Sequence, residues 1–204
     1  MKLLIYHIVN FFSHNLEKDI RKMLPGSKKL IIFDVGCYRG VFVKKMISFF
    51  DKNKIKFYLF DINKNVKNYI SKLKKIKNIS YQYNEVAVGN KNGKAVYNYN
   101  GFFEASGSSI STLYKKDKMW NLSRKIILKI LFQETNEYKK YTVPTTTLDT
   151  FIKKKKIKLI NILKIDVDGF EYNSLKGAIK SFKKNKIKII FLEKNENIDI
   201  FSNK

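Results

Sequence analysis

The sequence has 204 residues, of which 44% are hydrophobic and 14% aromatic. This is the length of one domain, and its apolar content is sufficient to bury a sizeable core, which excludes disorder or low complexity over most of the chain. Cys37 is the only cysteine. An internal disulfide and a cysteine-based metal site are therefore excluded, and a reducing cytoplasm is the expected compartment.

The formal net charge is +25, which by itself suggests a polyanionic partner such as nucleic acid. Almost all of the positive charge is lysine, because Arg21, Arg39 and Arg124 are the only arginines. Arginine is the preferred residue for bidentate recognition of phosphates and bases. We therefore attribute the charge to the composition of an A/T-rich coding genome and predict no dedicated nucleic-acid site.

Residues 1–13 are apolar, but this segment is too short to span a bilayer and no small-residue cleavage site follows it. We predict an N-terminal helix that continues to about Met23 and ends at the Pro25-Gly26 break. The chain is accordingly divided into an N-terminal helical extension, residues 1–26, and a single α/β domain, residues 27–204.

Strands and helices alternate after this break. The apolar runs and their periodicity predict strands at 30–35, 55–60, 79–83, 94–99, 159–166 and 187–192, with helices at 41–50, 65–74 and 172–183. Such alternation predicts right-handed crossovers and a mostly parallel sheet with helices on both faces. In these sheets ligands bind beyond the carboxyl ends of the strands, so the residues that follow each strand are the candidates for a site.

Residues 101–143 are less regular and form the predicted insertion. They contain a small-residue loop at 104–110 and a basic amphipathic segment at 119–132 that includes Trp120. The insertion is interpreted either as a substrate lid over the mouth of the sheet or as a cover for the sheet edge. Peripheral contact of the Trp120 segment with an anionic membrane is a further alternative.

The first strand after the break leads directly into Asp34-Val-Gly-Cys-Tyr-Arg-Gly40. Gly36 and Gly40 allow a tight turn and a close approach of the backbone to a ligand before a helix begins. The spacing is not that of a dinucleotide fingerprint, which argues against a pyrophosphate ligand. Asp34 is predicted to place a carboxylate at the strand tip, where it suits the ammonium group of an amino-acid moiety such as the methionine end of S-adenosylmethionine.

Asp61 ends the second predicted strand of this domain. An acidic residue at this place is positioned to accept hydrogen bonds from the two ribose hydroxyls of an adenosyl ligand. The alternative is that the carboxylate only caps the helix that follows.

Several further segments carry a resemblance to a known family. These are Phe33–Gly40, Phe60-Asp61, Ala87–Asn90, Ser108-Ser109, Thr147-Leu-Asp149, and Leu163–Glu171 with Leu175–Ala178. Together they resemble the FkbM-type methyltransferases over residues 31–193. The Thr-Leu-Asp and Lys-Ile-Asp-Val-x-Gly-x-Glu segments are the most specific.

This resemblance implies a Rossmann-like class I methyltransferase fold that uses S-adenosylmethionine and transfers a methyl group to a hydroxyl of a saccharide or small metabolite. By position, Asp34, Gly36 and Gly40 would line the methionine end, Asp61 the ribose and Glu85 the adenine. The final strand pair of the fold is expected to be shortened or absent, because the sequence ends soon after the last predicted strand.

Methyl transfer to oxygen requires alignment of the acceptor and removal of its proton. Asp166 is the first candidate for this task, followed by Asp168 and Glu171. Glu171 has an alternative structural interpretation, in which Asp168 is the N-cap of the next helix and Glu171 its reciprocal partner. Lys164 is expected either to bind an acidic substrate or to lie in solvent.

Three alternatives remain open from the sequence. Asp166, Glu193 and Asn195 could form an all-oxygen Mg²⁺ site. An RNA acceptor would use the same cofactor site and would explain the positive charge. A cofactor-binding or scaffold protein without catalytic activity is the third alternative.

Overall fold

The computed structural model describes residues 4–7, 16–24, 29–99 and 139–192. Nine strands are found in these ranges: β1 Leu4–His7, β2 Leu30–Val35, β3 Ile55–Asp61, β4 Ser80–Glu85, β5 Ala87–Val88, β6 Gly93–Tyr99, β7 Lys139–Thr146, β8 Ile160–Ile165 and β9 Ile187–Leu192. The α-helices of the same ranges are α1 Leu16–Met23, α2 Val41–Phe49, α3 Val66–Ser71, α4 Leu148–Lys154, α5 Glu171–Lys176 and α6 Ile179–Lys183. Short 3₁₀ turns span Lys52–Lys54 and Lys72–Lys75.

The main sheet has six strands in the order β1-β9-β8-β2-β3-β4, and every neighbouring pair is parallel. Between strands the chain therefore returns to the same end of the sheet, and the carboxyl ends of all six strands lie at the opposite edge. This edge is called the carboxyl edge below. It is where the sequence places the candidate site residues.

Helices cover both faces of this sheet, as predicted. One apolar cluster joins Ile32, Phe57 and Phe191 of the strands to Ile20 of α1 and Met46 of α2. The other cluster lies on the opposite face. It joins Phe33, Phe60 and Leu163 to Phe151 of α4 and Leu175 of α5. The four central strands β2, β3, β8 and β9 are buried on both sides, and for this reason they have nearly continuous apolar runs instead of alternating polar residues.

A second, smaller sheet adjoins the carboxyl edge in the order β5-β7-β6. Strands β6 and β7 are antiparallel, with Tyr97 opposite Tyr141, and β5 is parallel to β7. Its small core contains Ala87, Tyr97 and Val143, against which Ile62 from the end of β3 packs. The small sheet is therefore positioned next to the residues that follow β3 and β4.

The prediction of an N-terminal helix over residues 1–23 is only partly right. Leu16–Met23 is a helix, but Leu4–His7 is a strand that pairs in parallel with β9, with Leu4 opposite Ile189. As a strand, this segment forms hydrogen bonds with the edge of β9, and the free energy of these long-range bonds outweighs the local preference for a helix. The N-terminal strand thus occupies the sheet position next to β9.

Two other predictions are revised. The single helix expected at Tyr172–Lys183 is divided into α5 and α6 around Gly177. A Cβ atom at Gly177 would overlap the backbone carbonyl of Gly89. The helix is therefore interrupted at the point where the backbones of Gly177 and Gly89 are in contact. Residues 139–143, included in the predicted insertion, belong to β7. The remainder of the insertion, including the Trp120 segment, and the chain after residue 192 lie outside the described residues.

Within the described ranges, no helix is long and apolar enough to cross a membrane. The division of the chain at residue 26 remains a prediction.

Candidate active site at the carboxyl edge

The loop after β2 is held against the ends of β3 and β8. The amides of Gly36 and Cys37 both donate to the carbonyl of Phe60, at 2.9 and 3.2 Å. Gly36 has a φ of +77°, and a Cβ atom there would overlap the carbonyl oxygen of Asp166. The missing side chain at Gly36 therefore allows two protein backbones to touch. The sequence instead predicts that this glycine gives room to a ligand.

Gly40 ends this loop in the same left-handed conformation, with a φ of +71°, and α2 begins directly after it. Its amide donates to the carbonyl of Cys37 at 2.8 Å, which closes the turn. A Cβ atom at Gly40 would meet only side-chain carbons of Ile70 and Leu73, at 3.6 Å. The glycine is therefore required for its backbone conformation and not for a close approach.

Asp34 lies within β2 and is completely buried. Its Oδ1 is 3.0 Å from the ammonium nitrogen of Lys164, and among the described residues neither of its carboxylate oxygens has a further hydrogen-bond partner. Burial raises the pKa of Asp34 to about 6, although the positive charge of Lys164 lowers it. Asp34 is therefore enclosed and paired inside the protein, and its predicted contact with a ligand ammonium group stays a prediction.

Asp61 is half-buried at the end of β3, and its carboxylate organises the adjoining loops. Its Oδ2 accepts the amide of Tyr38 at 2.9 Å, and its Oδ1 accepts the amides of Ile62 and Asn63 at 2.8 and 3.0 Å. Burial raises the pKa of Asp61, while these backbone hydrogen bonds lower it. A carboxylate accepts about four hydrogen bonds, so capacity remains for a ligand hydroxyl. Contact with ribose stays a prediction.

Glu85 is exposed at the end of β4, directly opposite Asp61 in the strand register. It borders a cavity of about 280 Å³ between the carboxyl edge and the small sheet. We call this cavity the tyrosine pocket. Its walls include Ile62, Lys64, Glu85, Tyr97, Tyr99 and Tyr141.

Polar contacts fix parts of this wall. The side-chain amide of Asn65 donates to the hydroxyl of Tyr99 at 3.1 Å, and the ammonium group of Lys64 lies 4.4 Å from the ring centroid of Tyr141. The pocket therefore combines flat aromatic surfaces with one acidic and one basic side chain at its border. The family resemblance implies that Glu85 lies near the adenine, whereas the sequence does not indicate the tyrosines, because β6 and β7 are far apart in sequence.

The predicted catalytic residues Asp166, Asp168 and Glu171 follow β8. The side chain of Asp166 is 40% exposed, and its Oδ2 lies 3.3 Å from the ammonium group of Lys164. Asp168 is partly exposed and has a φ of +48°. Both residues are at the carboxyl edge, where a base for the transfer step was predicted, and their catalytic role remains a prediction.

Glu171 is buried and turned into its own loop. Its Oε1 accepts the amides of Val167 and Gly169, at 2.9 and 3.2 Å. The expected capping box with Asp168 as N-cap is wrong, because α5 begins after Phe170. Glu171 nevertheless has a structural function, since it holds the loop that carries Asp166 and Asp168.

The predicted Thr-Leu-Asp segment is also explained by local structure. Thr147 is the N-cap of α4 and accepts the amide of Thr150 at 3.1 Å. Asp149 accepts the amides of Lys180 and Ser181 and the hydroxyl of Ser181, at 2.9, 2.8 and 2.6 Å. These contacts join α4 to α6.

Lys164 lies in neither of the two places that the sequence predicts for it. Instead of binding an acidic substrate or lying in solvent, it is buried in β8 and donates to the carbonyl oxygen of Gly36 at 2.6 Å. Burial disfavours its charged form, but the carboxylates of Asp34 and Asp166 outweigh this effect and raise the lysine pKa above its ordinary value. The signal in the sequence was a lysine within an apolar strand.

Cys37 is buried in the glycine loop, and burial raises the pKa of its thiol well above the ordinary value. This agrees with its interpretation as a loop residue that is not a nucleophile. No group of three potential metal-ligating side chains occurs among the residues of the described ranges. Glu193 and Asn195, the proposed partners of Asp166 in a Mg²⁺ site, lie outside those ranges.

A crystal structure of methyltransferase FkbM from Methylobacillus flagellatus KT superposes with a TM-score of 0.53 at 13% sequence identity, over 92% of this chain and 37% of that one. This likeness supports the fold, and the chain spans little more than a third of the length of that protein. Comparison with curated protein sequences gives no match. The model of the methyltransferase FkbM domain matches residues 34–203, which is most of the sequence, and the chain therefore belongs to this family.

Proposed function

We propose that the protein is an S-adenosylmethionine-dependent methyltransferase that methylates a hydroxyl oxygen of a saccharide or another small metabolite. The observation that carries this proposal is the tyrosine pocket at the carboxyl ends of β3 and β4, with Glu85 at its border and Asp61 beside it. In open α/β sheets this edge is where nucleoside-containing ligands bind.

The size and the chemistry of the tyrosine pocket suit an adenosyl group. Its volume of about 280 Å³ is near the lower end for small-molecule sites. Aromatic rings stack well on a purine, and the carboxylate of Glu85 can accept hydrogen bonds from an exocyclic amino group. Asp61 would accept the ribose hydroxyls with the acceptor capacity that its backbone contacts leave free.

The methionine end would lie against the loop that begins at Gly36 and ends at Gly40. Asp34 would influence the ligand only indirectly, through other protein groups, because it is fully buried and paired with Lys164. Asp166 is the carboxylate with access to solvent on this side. An anionic group there would favour a cationic ligand end.

The bound cofactor supplies a methyl group on a cationic sulfur. In the transfer a bond forms between the acceptor oxygen and the methyl carbon, the carbon–sulfur bond breaks, and the hydroxyl proton must go to a base. We assign this base to Asp166, with Asp168 as the second candidate. Glu171 would contribute by holding their loop, as its two backbone contacts favour.

Cofactor binding is tested by narrowing the tyrosine pocket. Ile62→Trp adds bulk to its wall, and we expect at least a ~10-fold weaker affinity for S-adenosylmethionine by titration calorimetry, since each tenfold change corresponds to about 1.4 kcal/mol. Val96→Trp is the matched control, because Val96 is exposed and alternates with Tyr97 along β6, so that it faces away from the pocket. A folded wild type that binds neither S-adenosylmethionine nor S-adenosylhomocysteine would refute the proposal.

The acceptor is tested with S-adenosylmethionine that carries a labelled methyl group. Separate pools of saccharides, small metabolites, lipids and RNA are incubated with the protein, and we expect label in the saccharide or small-metabolite pool. Label in RNA would replace our acceptor with the alternative that the positive charge suggested. Cofactor binding without transfer to any pool would favour a protein that binds the cofactor without catalysis.

A further inference from the structure

Lys164 is at the centre of a buried ionic cluster that connects the ends of two strands. Its ammonium nitrogen lies 2.6 Å from the carbonyl oxygen of Gly36, 3.0 Å from Oδ1 of Asp34 and 3.3 Å from Oδ2 of Asp166. An ammonium group has three N–H donors, so these three oxygens match its donor capacity. Asp34 and Lys164 are directly opposite each other in the β2–β8 register.

Stability alone is a poor explanation for this cluster. Removing charges from water is costly, and apolar residues of similar volume are often equally stable at such positions. The neighbours of Asp34 and Lys164 in β2 and β8 are buried apolar residues, so a wholly apolar strand pair would fit the same core. The cluster therefore points to a requirement of the adjoining site.

The three partners of Lys164 differ in accessibility. Asp34 is enclosed and Gly36 contributes a backbone atom, whereas Asp166 is partly exposed at the carboxyl edge. Two carboxylates and one ammonium group leave one negative charge. Because Lys164 and Asp34 neutralise each other inside the protein, this remaining charge is presented by Asp166, next to the glycine loop.

We propose that Lys164 is a positioning residue that fixes the Asp166 carboxylate and the Gly36 carbonyl, so that this end of the site favours a cationic ligand over a neutral one. The inference rests on the proposed function, since it concerns the end of the site where the sulfonium would lie. It adds a role for a residue that makes no contact with the ligand itself.

The experiment compares S-adenosylmethionine, which is cationic at sulfur, with neutral S-adenosylhomocysteine. Lys164→Met removes the anchor, and the buried Asp34, which then lacks its cation, takes up a proton. The net charge of the cluster thus stays the same, and the variant changes position more than charge. By titration calorimetry we expect S-adenosylmethionine to lose about tenfold more affinity than S-adenosylhomocysteine does.

Two further variants separate positioning from folding. Asp34→Asn with Lys164→Met removes the buried carboxylate together with its cation, so the fold recovers while Asp166 remains without its anchor. We expect the altered preference between the two ligands to persist in this double variant. Lys164→Arg keeps the charge and should restore the preference in part, because its planar group reaches the same carboxylates with different geometry.

The outcomes are distinct. A wild type that binds neither ligand refutes the proposed function. The positioning role is overturned if the wild type binds both ligands and if Lys164→Met and the double variant keep the wild-type ratio of the two dissociation constants. An altered ratio in both variants, partly restored by Lys164→Arg, supports it.

Discussion

Alanine at Gly36 tests whether two loops of the site meet backbone to backbone. The glycine has a φ of +77°, and a Cβ atom would lie 2.9 Å from the carbonyl carbon of Asp166 and closer still to its oxygen. Gly40 is a matched control within the same loop. Its φ is +71°, but a Cβ atom there would have ordinary contacts at 3.6 Å.

The expected magnitudes follow from these contacts. A left-handed alanine costs roughly 1–2 kcal/mol, and we expect this loss for Gly40→Ala. In Gly36→Ala the two backbones must also separate, which disturbs the hydrogen bonds from Gly36 to Phe60, from Asp166 to Val35 and from Lys164 to Gly36. Each is worth roughly 0.5–3 kcal/mol, the charged one most. The total for Gly36→Ala is therefore about 4 kcal/mol or more.

Urea unfolding followed by circular dichroism measures both free energies of unfolding under one set of conditions. If Gly36→Ala and Gly40→Ala differ by less than about 0.5 kcal/mol, which is within the ordinary scatter of independent sites, the contact between the loops is not as described. The same reasoning makes Gly36 a poor position for testing ligand binding, because its substitution disturbs the fold first.

Three further predictions concern single carboxylates. The folded pKa of Asp34 is about 6 against an ordinary 3.8, so its contribution to stability is present below pH 3.8 and is lost as the pH rises through 6. Relative to Asp34→Asn, the unfolding free energy of the wild type should therefore fall by on the order of 3 kcal/mol between pH 3.5 and 7 in urea titrations. A difference between the two proteins that does not change with pH would contradict the burial argument. Asp149→Ala should cost about 1–3 kcal/mol, measured in the same way, because three hydrogen bonds to α6 are lost, with ligand affinity unchanged. Asp166→Asn should lower turnover at least ~100-fold with little change in melting temperature, as for loss of a general base, whereas Glu171→Ala should lower the melting temperature; the opposite pattern would exchange their roles.

The four central strands of the main sheet, β2, β3, β8 and β9, were predicted well from the sequence because they are buried on both faces. Strands β2 and β9 were predicted at their observed bounds, and β3 within one residue. Such strands have uninterrupted apolar runs, and the polar residues that follow them mark the carboxyl edge. Asp61 and Asp166 were placed at that edge from this pattern, whereas Glu85 was placed by the family resemblance.

The errors have a common physical cause, which is contact between segments far apart in sequence. Strand β1 is short and apolar, so its local pattern fits a helix equally well, and only β9 determines that it is extended. The enclosure of Asp34 depends on Lys164, 130 residues later, a separation that no local periodicity reports. The tyrosine pocket likewise depends on the pairing of β6 with β7.

The parallel pairing of β1 with β9 has a consequence for how the protein folds. Leu4 pairs with Ile189, so most of the described residues separate the two strands along the chain and this long-range pairing forms late. Until then, β9 presents an unpaired edge made of Ile187-Lys-Ile-Ile-Phe-Leu192. An apolar edge of this kind is a template for pairing with other chains. The N-terminal strand thus acts as protection against aggregation, and shortened versions of the protein that lack residues 1–15 would lose it.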